Sequence, residues 1–246
     1  MISINHISVG FGHRTVLADI SARLAAGRIT ALMGPNGCGK TTLLRCIAGL
    51  LRPDDGNVAI EGRPVLDYPA RLLAQRVAFV AQHVHTDFDF TAFETVLMGR
   101  NPYLRRLQNE TPADLEAVRQ AMLQTGTWHL RHAHPNEMSG GELQRVMIAR
   151  ALAQQTPLLL MDEPVSNLDI AHQIEVMRLL RTLAKTVVIV LHDLNLALRF
   201  CDDLLLIHDG HLLYHGPIDE GLSPDRIATA YGLATHRAEN HIVIDC

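Results

Sequence analysis

The sequence predicts an α/β protein in which helices cover the faces of a parallel β-sheet. Short apolar runs typical of buried strands alternate along the chain with longer segments that have helical spacing. A glycine-rich turn joins one of these strands directly to a helix. Polar residues follow several of the apolar strands, and parallel α/β sheets bind ligands beyond the carboxyl ends of their strands. We therefore expect the functional site at that edge of the sheet.

The individual elements follow from periodicity and length. Residues 2–9 alternate loosely between apolar and polar side chains, which predicts an edge strand. Buried strands are predicted at 29–33, 58–60, 77–81, 158–161, 187–191 and 204–207. Helices are predicted at 41–51, 112–124, 142–153, 170–183, 194–200 and 223–232. The stretch 83–137 has no convincing strand, so we expect a helical insertion there.

Composition and charge narrow the class of protein. The 246 residues suffice for one large domain, and the net charge of −4 gives no support to nucleic-acid binding. No apolar run approaches the roughly 20 residues that a membrane-spanning helix needs, so a membrane role would require a partner. We expect no secretory signal at the N-terminus. The four cysteines form no Cys-x-x-Cys pair, which favours reduced thiols in a cytosolic compartment.

A phosphate-binding loop is the strongest single motif. The segment Gly34-Pro35-Asn36-Gly37-Cys38-Gly39-Lys40-Thr41 fits G-x-x-x-x-G-K-[ST] and lies between a predicted strand and a predicted helix. Its glycines allow several backbone N–H groups to face one anion, and the helix N-terminus adds a positive partial charge. Lys40 is suited to the β- and γ-phosphates, and the Thr41 hydroxyl is suited to Mg²⁺.

Four further polar residues follow predicted strands. Asp162 and Glu163 follow strand 158–161, His192 follows 187–191, and Gln82 lies next to the end of 77–81. Asp162 is suited to holding Mg²⁺ and Glu163 to polarising the attacking water as a general base. A neutral His192 is suited to the γ-phosphate, and Gln82 to Mg²⁺ or the water. Taken alone, a histidine at the end of a strand such as His192 is more often structural, and Gln82 is uninformative.

A second phosphate-accepting helix start is predicted at Ser139-Gly140-Gly141-Glu142. The segment has the form of a capping box, in which Ser139 caps the helix and Glu142 reaches back. A cap does not need the two glycines, but they would let a phosphate approach the helix N-terminus closely. A head-to-tail dimer accounts for both helix starts, because Ser139 of one copy would face the ATP held by Lys40 of the other.

The motifs in their order resemble the nucleotide-binding subunit of ABC transporters. They are GPNGCGKTT, Gln82, MSGGELQR, LLLMDEP, SNLD and His192, and the likeness covers essentially the whole chain. The resemblance implies a P-loop NTPase (RecA-like) core with a small antiparallel β subdomain and an inserted α-helical subdomain. Within one domain of residues 1–246, it places the β subdomain and the nucleotide-binding core in 1–81 and 155–246, and the helical subdomain with the signature motif in 82–154.

The resemblance also implies roles for single residues. Residues Gly34 to Thr42 would be the Walker A loop and Ser139 to Gln144 the signature. Residues Ser166 to Asp169 would form the loop that crosses to the partner subunit, with Asp169 near ATP. Phe11 would stack on adenine, although an ordinary packed phenylalanine is an open alternative. Met138, Phe11 and Asn167 stand where Leu, Tyr and Ala are commoner in the family, and no catalytic residue is missing.

An importer is the implied assembly. In importers the ATPase is a chain separate from the membrane domain, and this chain is similar to that arrangement. The resemblance implies a homodimer on the cytoplasmic face of the inner membrane. Two transmembrane permease subunits and, indirectly, a substrate-binding protein would be its partners. Residues 90–104 and 191–195 resemble the ATPases of iron-siderophore, haem and cobalamin importers, whereas 87–90 also resembles zinc and manganese importers.

Three other classes fit less well. Soluble ABC ATPases of translation or DNA repair usually have two cassettes or a long coiled coil, and this chain has one Walker A loop. A small-molecule kinase would leave the segment 139–142 unexplained, and the presence of Glu163 and His192 argues against a catalytically inactive module.

A separate expectation concerns Cys38. We expect its thiol to be ionised, since Lys40 and the helix N-terminus both favour the thiolate form.

Overall fold

The computed structural model describes residues 1–82, 90–105, 108–166, 168–183, 185–239 and 241–245. The chain divides into two compact units, Met1–Pro69 with Lys185–Cys246 and Ala70–Ala184. Residues 87–89 of the segment similar to zinc and manganese importers, and Asn167 of the expected crossing loop, lie outside the described residues. The helical subdomain expected at 82–154 stays a prediction.

Strands and helices alternate along most of the chain. The strands are β1 (Ile2–Phe11), β2 (Arg14–Leu24), β3 (Ile29–Met33), β4 (Asp55–Ile60), β5 (Arg63–Pro64), β6 (Val77–Val80), β7 (Leu158–Met161), β8 (Thr186–Val190), β9 (Asp203–His208), β10 (His211–Pro217), β11 (Thr235–Ala238) and β12 (His241–Ile244). The helices are α1 (Lys40–Ile47), α2 (Ala70–Ala74), α3 (Ala92–Leu97), α4 (Pro112–Gln124), α5 (Gly140–Ala153), α6 (Ile170–Thr182), α7 (Leu194–Phe200), α8 (Ile218–Gly221) and α9 (Pro224–Tyr231).

The first unit contains an antiparallel sheet with the strand order β2-β1-β4-β5. Strand β1 pairs with β2 on one side and with β4 on the other, so the prediction of an edge strand at residues 2–9 is wrong. Strand β2 was not predicted from the sequence. Its apolar alternation is broken where Asp19 has a φ of 53°, and the pairing with β1 is irregular in the same region.

A second sheet of the first unit carries the phosphate loop. In the order β10-β9-β3-β8, strand β3 runs parallel to both β8 and β9, as the alternation of strands and helices predicts. All five residues of β3 are buried, because a strand covered on both faces is apolar throughout. The carboxyl ends of β3 and β8 therefore lie at one edge, next to the loops that follow Met33 and Val190.

The second unit combines a parallel strand pair with helices. Strand β6 pairs with β7, and helices α3 and α4 pack against α5. Helices α3, α4 and α5 each begin with a reciprocal capping box, which satisfies backbone donors at their first turns. Among the described residues, no helix combines the length and apolar character that a membrane-spanning segment requires.

A buried ion pair ties these helices together. The Arg100 guanidinium lies 2.9 Å from Oδ1 of Asp114, and it also donates to the Ala153 carbonyl at 2.8 Å and to Oε1 of Gln155 at 3.0 Å. Its plane lies over the ring of Tyr103, 4.1 Å from the centroid. Arg100 belongs to the segment 90–104 that resembles importer ATPases, and it anchors α4 to the C-terminal end of α5.

Candidate nucleotide-binding and catalytic site

The phosphate loop connects β3 to α1, as the motif predicts. Gly34 has a φ of 146°, and a Cβ at this position would collide with the carbonyl oxygen of Ile207. Gly39 is the N-cap residue of α1 with a φ of 106°, and a Cβ there would lie 2.5 Å from the Leu17 side chain. Both glycines are therefore required by backbone conformation and by space.

Lys40 is held at the loop itself. Its side chain is buried, and its Nζ donates to the carbonyl oxygens of Gly34 at 2.9 Å and Pro35 at 2.8 Å. Thr41 and Thr42 follow in the first turn of α1 and are half-buried. An ammonium group and the start of a helix thus lie together, which is the arrangement that binds a phosphate anion.

Cys38 does not have the chemistry expected from its neighbours. Its side chain is 6 % exposed, and burial raises the pKa of the thiol above its ordinary value. The nearby charge of Lys40 acts in the opposite direction but is the smaller effect. The expectation of a thiolate at this position is therefore wrong, because desolvation outweighs the positive surroundings.

Two further predicted residues lie in the first unit. Phe11 is the last residue of β1 and is 57 % exposed, so its ring is accessible to a planar base. His192 is exposed directly beyond β8. The residues that follow it have structural roles: Asp193 caps α7 by accepting from the Leu196 N–H at 2.8 Å.

Asn195 fixes the C-terminal hairpin in place, a contact that the sequence did not reveal. Its side chain donates to the Ile242 carbonyl at 3.1 Å and accepts from the Ile242 N–H at 2.7 Å. This pair of hydrogen bonds imitates one step of a β-ladder. Asn195 therefore holds β12 against the start of α7.

The second unit brings the predicted general base and the predicted glutamine together. Nε2 of Gln82 donates to Oε2 of Glu163 at 2.6 Å. Glu163 has a φ of 49°, a left-handed conformation that costs free energy for any residue with a Cβ. Asp162 is buried at 3 % exposure, and its N–H donates to Val80 at 2.9 Å, which continues the β6–β7 ladder. The two adjacent acids thus have different surroundings: the Glu163 carboxylate accepts from Gln82, and Asp162 is buried at the end of the strand.

The start of α5 forms the predicted capping box. The Ser139 N–H and hydroxyl donate to Oε2 of Glu142 at 2.8 and 2.7 Å, and the Ser139 Oγ accepts from the Glu142 N–H at 3.3 Å. The backbone N–H of Ser139, followed by its hydroxyl, lowers the pKa of the Glu142 carboxyl. A Cβ on Gly140 would meet no described atom within 4 Å, so packing against the described residues does not explain this glycine.

Asp169 is the N-cap residue of α6. One carboxylate oxygen accepts from the His172 N–H at 2.9 Å, and the other lies 2.8 Å from Nδ1 of His172. The backbone N–H of His172 is the main cause that lowers the pKa of Asp169. The carboxylate is therefore ionised at neutral pH and presented at the surface of the second unit.

Comparison with known proteins identifies the relatives of the chain. The family model described as ABC transporter matches residues 17–166. The chain is 41 % identical over 245 residues to the hemin import ATP-binding protein HmuV of Gloeobacter violaceus, covering 96 % of this chain and 88 % of the relative. It is 38 % identical over 231 residues to the ferric enterobactin transport ATP-binding protein FepC of Escherichia coli K12, covering 92 % and 85 %.

A solved structure gives the same result for the fold. A dimeric post-hydrolysis state of the ATP-binding cassette MJ0796, bound to ADP and Pi, superposes with a TM-score of 0.77 at 28 % identity. The match covers 89 % of this chain and 99 % of that chain. The predicted P-loop NTPase fold of an ATP-binding cassette is thereby confirmed.

Proposed function

The chain belongs to the ABC transporter family, and we propose that it is the ATP-hydrolysing subunit of an importer for a metal chelate or cobalamin. The observation that carries this proposal is the phosphate loop, in which Lys40 and the glycines that the backbone requires lie between β3 and α1. The names of the relatives, which transport hemin and ferric enterobactin, support the class of cargo.

Binding and hydrolysis are divided among the predicted residues. The loop 34–42 holds the triphosphate, Lys40 exchanges its two carbonyl acceptors for phosphate oxygens, and Phe11 stacks on adenine. Glu163 accepts a proton from the water that attacks the γ-phosphorus, so that ADP leaves with the bond electrons. Gln82 orients the Glu163 carboxylate through their hydrogen bond, and His192 contacts the γ-phosphate.

A magnesium ion fits the donor set. Thr41, Gln82 and Asp162 would supply hydroxyl, amide and carboxylate oxygens, the ligands that Mg²⁺ prefers, and few protein ligands are needed when phosphates complete the shell. Among the described residues there is no cluster of three or more His, Cys, Asp or Glu placed to bind a metal without such help. When bound, the ion neutralises charge on the β- and γ-phosphates.

The active form in this proposal is a homodimer. Residues Ser139 to Glu142 of one copy close on the triphosphate held by the other, and Asp169 lies in the loop that crosses between the copies. The open space around Gly140 supports this role, since an alanine would otherwise suit a helix start better than glycine. ATP binding then favours closure and hydrolysis favours opening, a ligand-biased two-state switch.

The hydrolysis step is tested with Glu163→Gln, which keeps the shape of the side chain and removes the base. We expect ATP binding close to that of the wild type, with turnover reduced about 10²- to 10⁴-fold. We also expect an ATP-dependent dimer in light scattering. Turnover near the wild-type rate would show that the base lies elsewhere.

The transport role needs partners. We propose two transmembrane permease subunits, an indirectly coupled substrate-binding protein and a position on the cytoplasmic face of the membrane. The test is reconstitution with the permease subunits that co-purify with the chain. ATPase activity should rise when the binding protein carries a siderophore complex, haem or cobalamin. Stimulation by zinc or manganese alone would favour the alternative importer class, and activity indifferent to any permease would favour a soluble ABC ATPase.

A further inference from the structure

A cavity beside the phosphate loop contains a cation that the proposed roles do not use. The cavity has a volume of about 270 Å³ and lies within the first unit. One wall is the loop segment 35–38, and the other is formed by residues 14–16 and by Asp209 and Gly210. Arg14 and Asp209 are the charged residues of this lining. A positive and a negative side chain therefore flank the space next to the phosphate loop.

Arg14 is held at this position by a tight turn. Phe11 and Arg14 are register partners at the end of the β1–β2 hairpin, joined by Gly12 and His13. Gly12 has a φ of 60°, which suits the first central position of a two-residue hairpin turn. The side chain of Arg14 then reaches back to the phosphate loop, and its Nη2 would lie 3.9 Å from a Cβ built on Gly37.

The guanidinium is free to bind an anion. Within the described part of the chain, no carboxylate or carbonyl group accepts a hydrogen bond from it and no acidic side chain forms an ion pair with it. Asp209 contacts His208 instead, at 3.4 Å. An exposed arginine without a partner is common on protein surfaces. This one, however, lies in a cavity whose facing wall is built to bind phosphate.

We propose that Arg14 is a nucleotide-binding residue that contacts the ribose and α-phosphate segment of ATP. The choice of this part of ATP follows from the neighbours of Arg14. Phe11, its register partner, would stack on the base, and Gly37, which it approaches, belongs to the loop that would hold the terminal phosphates. A guanidinium pairs with phosphate oxygens through charge-assisted hydrogen bonds. The inference rests on ATP binding at the phosphate loop and adds a contact shared by ATP and ADP.

A contact with the ribose and α-phosphate should affect ADP and ATP analogues equally, whereas a contact with the γ-phosphate should not. Replacing Arg14 by alanine should weaken the binding of ADP and of the β,γ-imido analogue of ATP by the same factor, about three- to tenfold. The reason is that one solvent-accessible, charge-assisted hydrogen bond is lost. Arg14→Lys should recover part of the affinity, since the charge remains while the planar pair of donors is lost.

The experiment is calorimetric titration of the full chain with ADP and with the imido analogue in the presence of Mg²⁺. Arg23→Ala is the matched control, because Arg23 is an exposed arginine near the far end of the same strand β2. Dissociation constants of Arg14→Ala equal to those of Arg23→Ala would overturn the inference. Weakening confined to the imido analogue would overturn it too. A parallel titration of Lys40→Ala tests the phosphate loop itself, so failure of the Arg14 contact is distinguishable from failure of the ATP site.

Discussion

The buried ion pair of the second unit allows a stability change to be worked out from the structure. Arg100→Met preserves the length of the side chain and removes its charge. The substitution leaves the Asp114 carboxylate buried without its cation, and it deprives the Ala153 carbonyl and Gln155 of a donor. Removing one partner of a buried pair costs about 3–5 kcal/mol. Thr111 still donates hydrogen bonds to Asp114, so we expect a loss near the lower limit, about 3 kcal/mol.

The assay is urea unfolding followed by far-ultraviolet circular dichroism, with Arg119→Met as the control. Arg119 lies 3.4 Å from Glu116 one helical turn away, and both side chains are about half exposed. Surface pairs of this kind contribute about 0.5 kcal/mol or less. The two variants remove the same charge, one from a buried hydrogen-bonded network and the other from an exposed pair. If the free energy of unfolding of Arg100→Met were lower than that of the control variant by no more than about 1 kcal/mol, the pair would not hold α4 to α5 as described.

Three further outcomes are expected. Lys40→Ala should abolish measurable ATP binding, because the loop loses its only cation; affinity within about tenfold of the wild type in calorimetry would contradict the assignment. Ser139→Arg should suppress ATPase activity of the assembled transporter by placing bulk and charge at the closing interface, while leaving ADP binding intact; normal phosphate release would argue against the shared site. Because burial raises the pKa of Cys38, iodoacetamide should modify it slowly at neutral pH and faster as the pH rises, with denatured protein as the reference; fast modification of the folded chain at neutral pH would show that the thiolate prevails.

The fold could be predicted where burial and sequence pattern agree. Strands β3 and β7 and helices α4 and α7 have the predicted bounds, because each is an apolar run or a periodic segment between clear turn residues. Strand β2 was missed because it is irregular. Short edge strands such as β11 and β5 carry too few apolar residues to be distinguished from loops.

The site could be predicted to a similar extent. The Walker A loop, the Ser139 capping box and the positions of Glu163 and His192 follow from motifs that precede or follow apolar segments. The Gln82–Glu163 hydrogen bond joins residues 81 positions apart, and no local pattern specifies such a pair. The protonation state of the Cys38 thiol depends on the balance between desolvation and nearby charge, and the sequence does not show how deeply the side chain is buried. The placement of Arg14 depended on a hairpin register that the sequence did not reveal.

The left-handed backbone of Glu163 has an evolutionary consequence. At a φ of 49°, asparagine or glycine would relieve about 1–2 kcal/mol of steric strain. If selection acted on folding alone, substitutions that replace glutamate at this position would therefore be favoured. Each such substitution would remove the carboxylate that we propose as the general base, so under that proposal folding stability and turnover are in conflict at this position.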